Sequence, residues 1–458
     1  MATLLTLTLL GILILVEGLL KKKSWQLPTI FAGLAAAFLL TVFSWGTNRH
    51  FYNDMLVADN SAIAFSALMI AVTFLVFLFA GHYYREVKRP LDDIYAILIF
   101  ALVGAVMMVS FGNLIVLFLG IETMSIALYV LAGSHKESVT SNEATLKYFL
   151  LGSFMSCFLL FGIALIYGST GFFNLQGIAA VVSKNPLHLT GLFRAGLFLM
   201  IAGMAFKIAI VPFHFWAPDV YEGTPTLLTA FMATVVKIAS IIALYRVFTI
   251  CFISVSATWE TLLWILAALT ILLGNLTGLY QPGLKRMLAY SSISHSGYMM
   301  LAILAFSGRT SNALLLYAIG YALATVLAFG ILILVRGAKG NDDFTSFNGM
   351  ARKNPLEAFC LTVAMLSLTG IPPLAGFMAK YYLFTTALEK GFVWLVLIAL
   401  LGSMISAAYY FKPVIAMYLK EGDPGKMESG LAFRINVIVI TVLILLVGIL
   451  PFLFTNLL

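Results

Sequence analysis

The chain has 458 residues, 62% of them hydrophobic and only 10% charged, whereas a soluble globule usually carries about 25% charged residues. That balance excludes a soluble enzyme. The formal charge of +8 is scattered through short loops and points to membrane topology, not to nucleic acid.

A membrane-spanning helix needs about 20 apolar residues. On that measure the sequence reads as an all-α polytopic membrane protein of about 14 spans, near 3–20, 27–45, 61–83, 93–109, 111–133, 144–169, 191–213, 224–249, 257–279, 284–306, 310–337, 356–388, 392–419 and 431–456. The first apolar run lacks a basic region before it and is followed by Lys21, Lys22 and Lys23, so it reads as a retained span and not a signal peptide. The longest loops fall near 170–190 and 338–355. We expect a single transmembrane domain over 1–458: N-terminal helices in 1–90, one repeat in 91–250, a second in 257–420, and a last helix in 431–458.

Lys and Arg favour the cytoplasmic side. Loops after odd-numbered spans hold Lys21, Lys22, Lys23, Arg85, Lys88, Arg89, Lys136, Lys285, Arg286, Arg336, Lys339, Arg352, Lys353, Lys420 and Lys426, with Lys147 and Arg434 flanking the same side. The opposite loops hold only Arg49, Lys184, Arg194, Arg246, Arg309 and Lys390. Both termini are therefore expected on the outer, periplasmic side of a bacterial inner membrane. Four lysines remain, and all lie within spans: Lys207, Lys237, Lys380 and Lys412.

A charge at bilayer depth costs at least about 2.5–3.5 kcal/mol and is functional by default. Along the chain, Glu122 comes first, inside the fifth span, with Ser125 and Tyr129 on its own face at i+3 and i+7. It reads as a proton carrier or a partner for a lysine, or else as a structural hydrogen-bonding node. Lys207 follows in the seventh span, with Pro212 interrupting the helix five residues later; a proline frees backbone groups that hydrocarbon does not tolerate. A Glu122–Lys207 ion pair would hold the ammonium charged, and opening it would release a proton donor. His214, Trp216, Asp219 and Glu222 trail the break, either lining a cavity or marking the interface. Their spacing is a weak metal signal.

Lys237 sits in the eighth span on a stripe with Thr226, Thr234 and Ser240, a wettable face on an apolar helix. His295, in the tenth, shares its face with Ser291, Ser292 and Tyr298; a buried histidine of this kind is either a core residue or a proton relay. The twelfth span is broken like the seventh, at Gly370-Ile371-Pro372-Pro373, with Lys380 after the break. Lys412, beside Pro413 near a span end, reads as a lysine reaching for the interface. The two broken spans lie five apart. Interrupted helices at matching positions point to inverted repeats, here spans 4–8 and 9–13.

No Gly-rich nucleotide fingerprint is present, and Cys157, Cys251 and Cys360 are far apart with no Cys-x-x-Cys. Neither a cofactor site nor a metal site is expected in this chain.

Three stretches carry a resemblance: Phe206–Gly223 (FKIAIVPFHFWAPDVYEG), Lys285–Tyr298 (KRMLAYSSISHSGY) and Leu368–Tyr382 (LTGIPPLAGFMAKYY). The chain resembles, over almost its whole length, the antiporter-like subunits of respiratory complex I and of multisubunit sodium/proton antiporters. Within complex I it is similar to a smaller member, since it stops after about fourteen spans and carries lysine at 380 where another type has glutamate. The resemblance implies a proton-translocating subunit of a bacterial NADH:quinone oxidoreductase membrane arm, with no redox chemistry of its own. NADH, FMN, iron–sulfur clusters and quinone would belong to partner chains, among them other membrane-arm subunits including a second antiporter-like one. It implies Glu122 and Lys207 as the ion pair, Lys237 as the central lysine, His295 on the connection between half-channels, and Lys380 as the terminal lysine. The competing expectations are a sodium/proton antiporter subunit, a non-conducting scaffold and a solitary solute carrier.

Overall fold

The computed structural model describes the chain except residues 86–89, 185, 187, 188, 423, 424, 426 and 456, so Lys88, Arg89 and Lys426 of the charge pattern lie outside the described residues. It is mostly helical, and twelve helices among the described residues are long and apolar enough to cross a membrane. In chain order, α1 (Ala2–Leu19) and α2 (Lys23–Phe43) precede a small antiparallel hairpin, β1 (Arg49–Phe51) and β2 (Leu56–Ala58). Then come α3 (Asn60–Tyr83), α4 (Asp92–Ser110), α5 (Leu114–Ala132), α6 (Val139–Thr170) and the short α7 (Leu175–Lys184). The seventh span is α8 (Gly191–Ile208) and α9 (Trp216–Gly223). The eighth is one helix, Thr226–Ile250, in which α10 (Thr226–Phe231) passes through a π-helical turn (Met232–Val236) into α11 (Lys237–Ile250).

The remainder comprises α12 (Ser256–Leu279), α13 (Leu284–Leu304), α14 (Thr310–Lys339), the single-turn α15 (Met350–Lys353), α16 (Pro355–Thr369), α17 (Ala375–Glu389), α18 (Val393–Leu419) and α19 (Leu431–Ile449). The hairpin and α7 were not expected: the strands are three residues each, and α7, though it buries Leu175, Ile178 and Val182 on one face, is too short to register on the length of a membrane span.

The chain folds as two compact units. The first takes Met1–Thr73, Arg89–Trp216 and Val235–Ile265. Its most extensive helix pair is α6 with α8, joined along a seam where a Cβ on Gly162 or Gly196 would lie 2.9 Å from the other's carbonyl. Without a hydrophobic drive between helices in lipid, such small-residue seams are how backbones approach closely. Within this unit Arg246 at the end of the eighth span is buried, donating to the Phe111 carbonyl at 2.9 Å and to Asp59 at 2.6 Å. It is not the free loop charge that the topology pattern assumed.

The second unit takes Phe74–Lys88, Ala217–Thr234 and Leu266–Leu458. Its centre is α14, nearly all buried, against which α16 and α17 pack. Here too a basic residue assigned to a loop is inside: Lys285 is 0% exposed.

Both broken spans stop the same way. At the end of α8, Ala209 adopts a left-handed conformation (φ +60°), its N–H donating to the Phe206 carbonyl and that of Ile210 to the Ala205 carbonyl. At the end of α16, Gly370 (φ +91°) does the same with the Ser367 carbonyl, and Ile371 with that of Leu366. This paired bonding is the Schellman motif, which normally asks for glycine at the left-handed position. Both helices end a few residues before the proline, as its steric demand on the preceding turn requires.

Candidate functional site

The first group of site residues stands on α5, α6 and α8. Asn113 caps α5 by accepting from the Ile115 N–H at 2.8 Å, and the helix then presents Glu122, Ser125 and Tyr129 on one stripe. Lys207 lies in the last turn of α8, 5% exposed. Its ammonium donates to Ser125 Oγ at 2.9 Å and to Tyr129 OH at 3.3 Å. Half-buried Glu122 instead accepts from Ser156 Oγ of α6 at 2.5 Å. The expected direct ion pair is therefore replaced by a relay of hydroxyls.

The free end of α8 is finished from beyond the break. Trp216 Nε1 donates to the Phe206 carbonyl at 3.0 Å, and its ring stacks on Tyr148 at 4.7 Å. Tyr148 in turn meets Tyr129 edge-on, also at 4.7 Å. Trp216 thus closes a helix terminus, which the sequence left undecided between cavity and interface.

Lys237 is 2% exposed on a helix buried over its whole apolar window, and it directly follows the π-helical turn. Hydroxyls crowd this turn. Thr234 Oγ1 donates to the Ala230 carbonyl at 2.6 Å and Ser240 Oγ to that of Val236 at 2.8 Å. Of the stripe of Thr226, Thr234 and Ser240 expected from the sequence, the Thr234 and Ser240 hydroxyls are turned back onto their own helix. The π-helical turn carried no sequence signal; such turns gather at functional sites.

His295 on α13 is buried among tyrosines. Its Nδ1 shares a hydrogen bond with Tyr317 OH at 2.7 Å and its Nε2 one with Tyr410 OH at 3.3 Å, while Tyr410 also meets Ser291. The Tyr321 ring lies 4.8 Å from the imidazole. Nearby, Tyr409 OH donates to Asn275 Oδ1 at 2.9 Å, and Asn275 Nδ2 to Tyr298 OH at 3.1 Å. Tyr317, Tyr321, Tyr409, Tyr410 and Asn275 were missed in the sequence. The available signal was polar residues in the middle of buried spans, with Tyr317 and Tyr321 four apart on one helix face.

Lys380, on α17, is 6% exposed and uses all three protons: Nζ donates to the Leu368 carbonyl at 3.0 Å, the Thr369 carbonyl at 2.8 Å and Ser403 Oγ at 2.6 Å. A cation at a helix C-terminus is favoured both by the free carbonyls and by the helix dipole. Between Lys380 and His295 is a small cavity lined also by Tyr317, Tyr321 and Ser367, with room for about one water molecule.

Lys412, half-buried, bonds the Leu279 carbonyl at the end of α12. Asp219 and Glu222 pair with Arg286, the former at 3.0 Å. The neighbouring Lys285 donates to the Glu222 carbonyl at 2.9 Å and to that of Thr224. Two cations in the first turn of α13 oppose its dipole. They are accounted for by this contact with the end of α9, while Asp342 accepts from the Lys285 N–H at 2.9 Å.

The fold and site define a helical membrane protein with two interrupted helices, each bringing a buried lysine to hydroxyls or free carbonyls near its break. The chain belongs to the NADH:quinone oxidoreductase/Mrp antiporter transmembrane family, whose model matches residues 112–406. It is 40% identical over 451 residues to NADH-quinone oxidoreductase subunit N of Flavobacterium psychrophilum, covering 98% of both chains. It is 41% identical over 449 residues to the subunit N of Flavobacterium johnsoniae, covering 96% of each. Among solved structures it is similar to a chain of respiratory complex I from Thermus thermophilus, with TM-score 0.84, 33% identity and 98% of both chains covered. A chain of the Mrp complex from Dietzia shares the fold, with TM-score 0.87 at 21% identity and 100% and 95% covered.

Proposed function

We propose that this chain is a proton-translocating, antiporter-like subunit in the membrane arm of a bacterial NADH:quinone oxidoreductase, doing there what its relatives' name, subunit N, describes. It couples quinone reduction in partner chains to proton movement and performs no redox step itself; Cys157 lies on α6, Cys360 on α16, and Cys251 just past the end of α11. NADH, flavin, iron–sulfur clusters and quinone belong to those partners, which include a second antiporter-like subunit. The observation that carries the reading is Lys237, an ammonium 2% exposed on a wholly buried helix. An inert span would not retain so costly a group.

Fourteen spans suit this reading, α13 and the α16–α17 pair adding to the twelve long apolar helices, with both termini periplasmic in the inner membrane. Spans 4–8 and 9–13 serve as inverted repeats, supported by the matching Schellman ends of α8 and α16. Protons pass by way of Glu122 and Lys207, through their hydroxyl relay, to Lys237, then past His295 and its tyrosines to Lys380. A partner that pulls on Glu122 changes the field at Lys207 and alters its readiness to give up a proton.

The test is Lys237→Ala in the assembled complex. Proton pumping and coupled quinone reduction should fall together, with NADH oxidation by a water-soluble acceptor unchanged. Full proton stoichiometry in that variant would contradict the reading.

A further inference from the structure

The π-helical turn at Met232–Val236 leaves carbonyls out of the regular i→i+4 ladder, and in a buried helix these must find other donors. Two tyrosine hydroxyls supply them. Tyr321 OH of α14 donates to the Ala233 carbonyl at 2.8 Å, and Tyr221 OH of α9 to the Met232 carbonyl at 3.3 Å. Both side chains are buried. The same Tyr321 ring lies 4.8 Å from the His295 imidazole. One side chain therefore touches the buried histidine with its face and the irregular turn before Lys237 with its hydroxyl.

We propose that Tyr321 is a positioning residue that keeps the eighth span in its π register, and so fixes the rotation of the segment that begins with Lys237, in response to His295. Without a donor on the Ala233 carbonyl, the turn gains by returning to α geometry. That shifts the following segment by one residue, about 100° of rotation about the helix axis. A change of hydrogen bonding at His295 that moves the Tyr321 ring is thereby carried to the lysine. Tyr221 holds the adjacent carbonyl from the second half of the broken seventh span, so that half-helix acts on the same turn.

The inference rests on the proposed role of Lys237, and the experiment separates the two. In the complete complex, Lys237→Cys and, independently, Ser240→Cys are labelled with a small methanethiosulfonate, with and without Tyr321→Phe. Loss of the hydroxyl should change both labelling rates by about threefold or more. Leu228→Cys, ahead of the turn, should keep its rate. Unchanged rates at both positions overturn the inference whatever happens to pumping. Tyr321→Phe alone should lower coupled turnover per assembled complex about 3- to 10-fold, leaving NADH oxidation by a water-soluble acceptor intact. A loss of turnover wholly matched by loss of assembled complex also overturns it. Altered labelling with full pumping supports the positional claim and removes Lys237 from the proton path.

Discussion

Lys207 donates to Ser125 Oγ at 2.9 Å, one helical turn along α5 from Glu122, whose own carboxylate is held by Ser156. A buried ammonium and a half-buried carboxylate thus each meet a hydroxyl, on neighbouring helices, in place of each other.

Ser125→Ala tests this relay. It removes an acceptor from a charged donor, a bond worth about 1.5–3 kcal/mol. Coupled quinone reduction should fall roughly tenfold or more at that energy, measured per assembled complex. Tyr129→Phe removes the longer bond, at 3.3 Å, and should fall less. Equal rates for Ser125→Ala and the native complex would mean that the hydroxyl carries nothing.

Lys380 has a structural duty beside any proton it moves. Lys380→Met takes the ammonium from the Leu368 carbonyl, at about 1–3 kcal/mol for a buried group left unbonded, and leaves the Thr369 carbonyl only the longer bond from Ser403 at 3.4 Å. The variant should lower both pumping and the melting temperature of the complex. Lys380→Arg, which can still reach carbonyls, should recover the melting temperature more fully than the pumping.

The two helix ends respond oppositely to glycine and alanine. Gly370→Ala forces a side chain into φ +91° and places its Cβ 3.0 Å from Lys380 Cδ, so a loss of about 1–2 kcal/mol is expected, with Lys380 displaced. Ala209→Gly relieves φ +60° and should be neutral or stabilising by less than about 1 kcal/mol. Thermal unfolding of the purified complex distinguishes the two signs.

Asp59→Ala strands the Arg246 guanidinium, which is buried against the Phe111 carbonyl. Removing one partner of a buried pair costs about 3–5 kcal/mol. Half-exposed Asp59 puts this case at the lower end. The amount of assembled complex in membranes should drop, and Arg246→Lys, which replaces the planar fork reaching the two acceptors from Nε and Nη1 by a single shorter-reaching nitrogen, should drop with it.

Coupled turnover should not depend on sodium. The buried row offers ammonium, imidazole and hydroxyl groups, whereas a hard cation needs several oxygen ligands gathered in one place. Turnover that rises with sodium at constant ionic strength would return the sodium/proton antiporter reading to first place.

Much of the site could be read from local chemistry. A lysine in an apolar run, a proline after it, and a glycine with two prolines in the twelfth span each announce themselves within a few residues. Lys207, Lys237, His295 and Lys380 are buried where the spans placed them. Lys285 and Arg246 misled for the same reason: beside a loop, a basic residue reads as solvated, and only a distant carbonyl or carboxylate reveals that it is inside.

Hydropathy and helix breakers by themselves determined that this chain is a helical membrane protein with ionisable groups in its spans, because both act over a single turn or a single span. Which oxygen each ammonium meets was decided by packing between helices far apart in the chain: Ser125 and Lys207 are separated by 82 positions. The same holds for the π-helical turn, two of whose carbonyls accept from Tyr221 and Tyr321, which arrive from other helices.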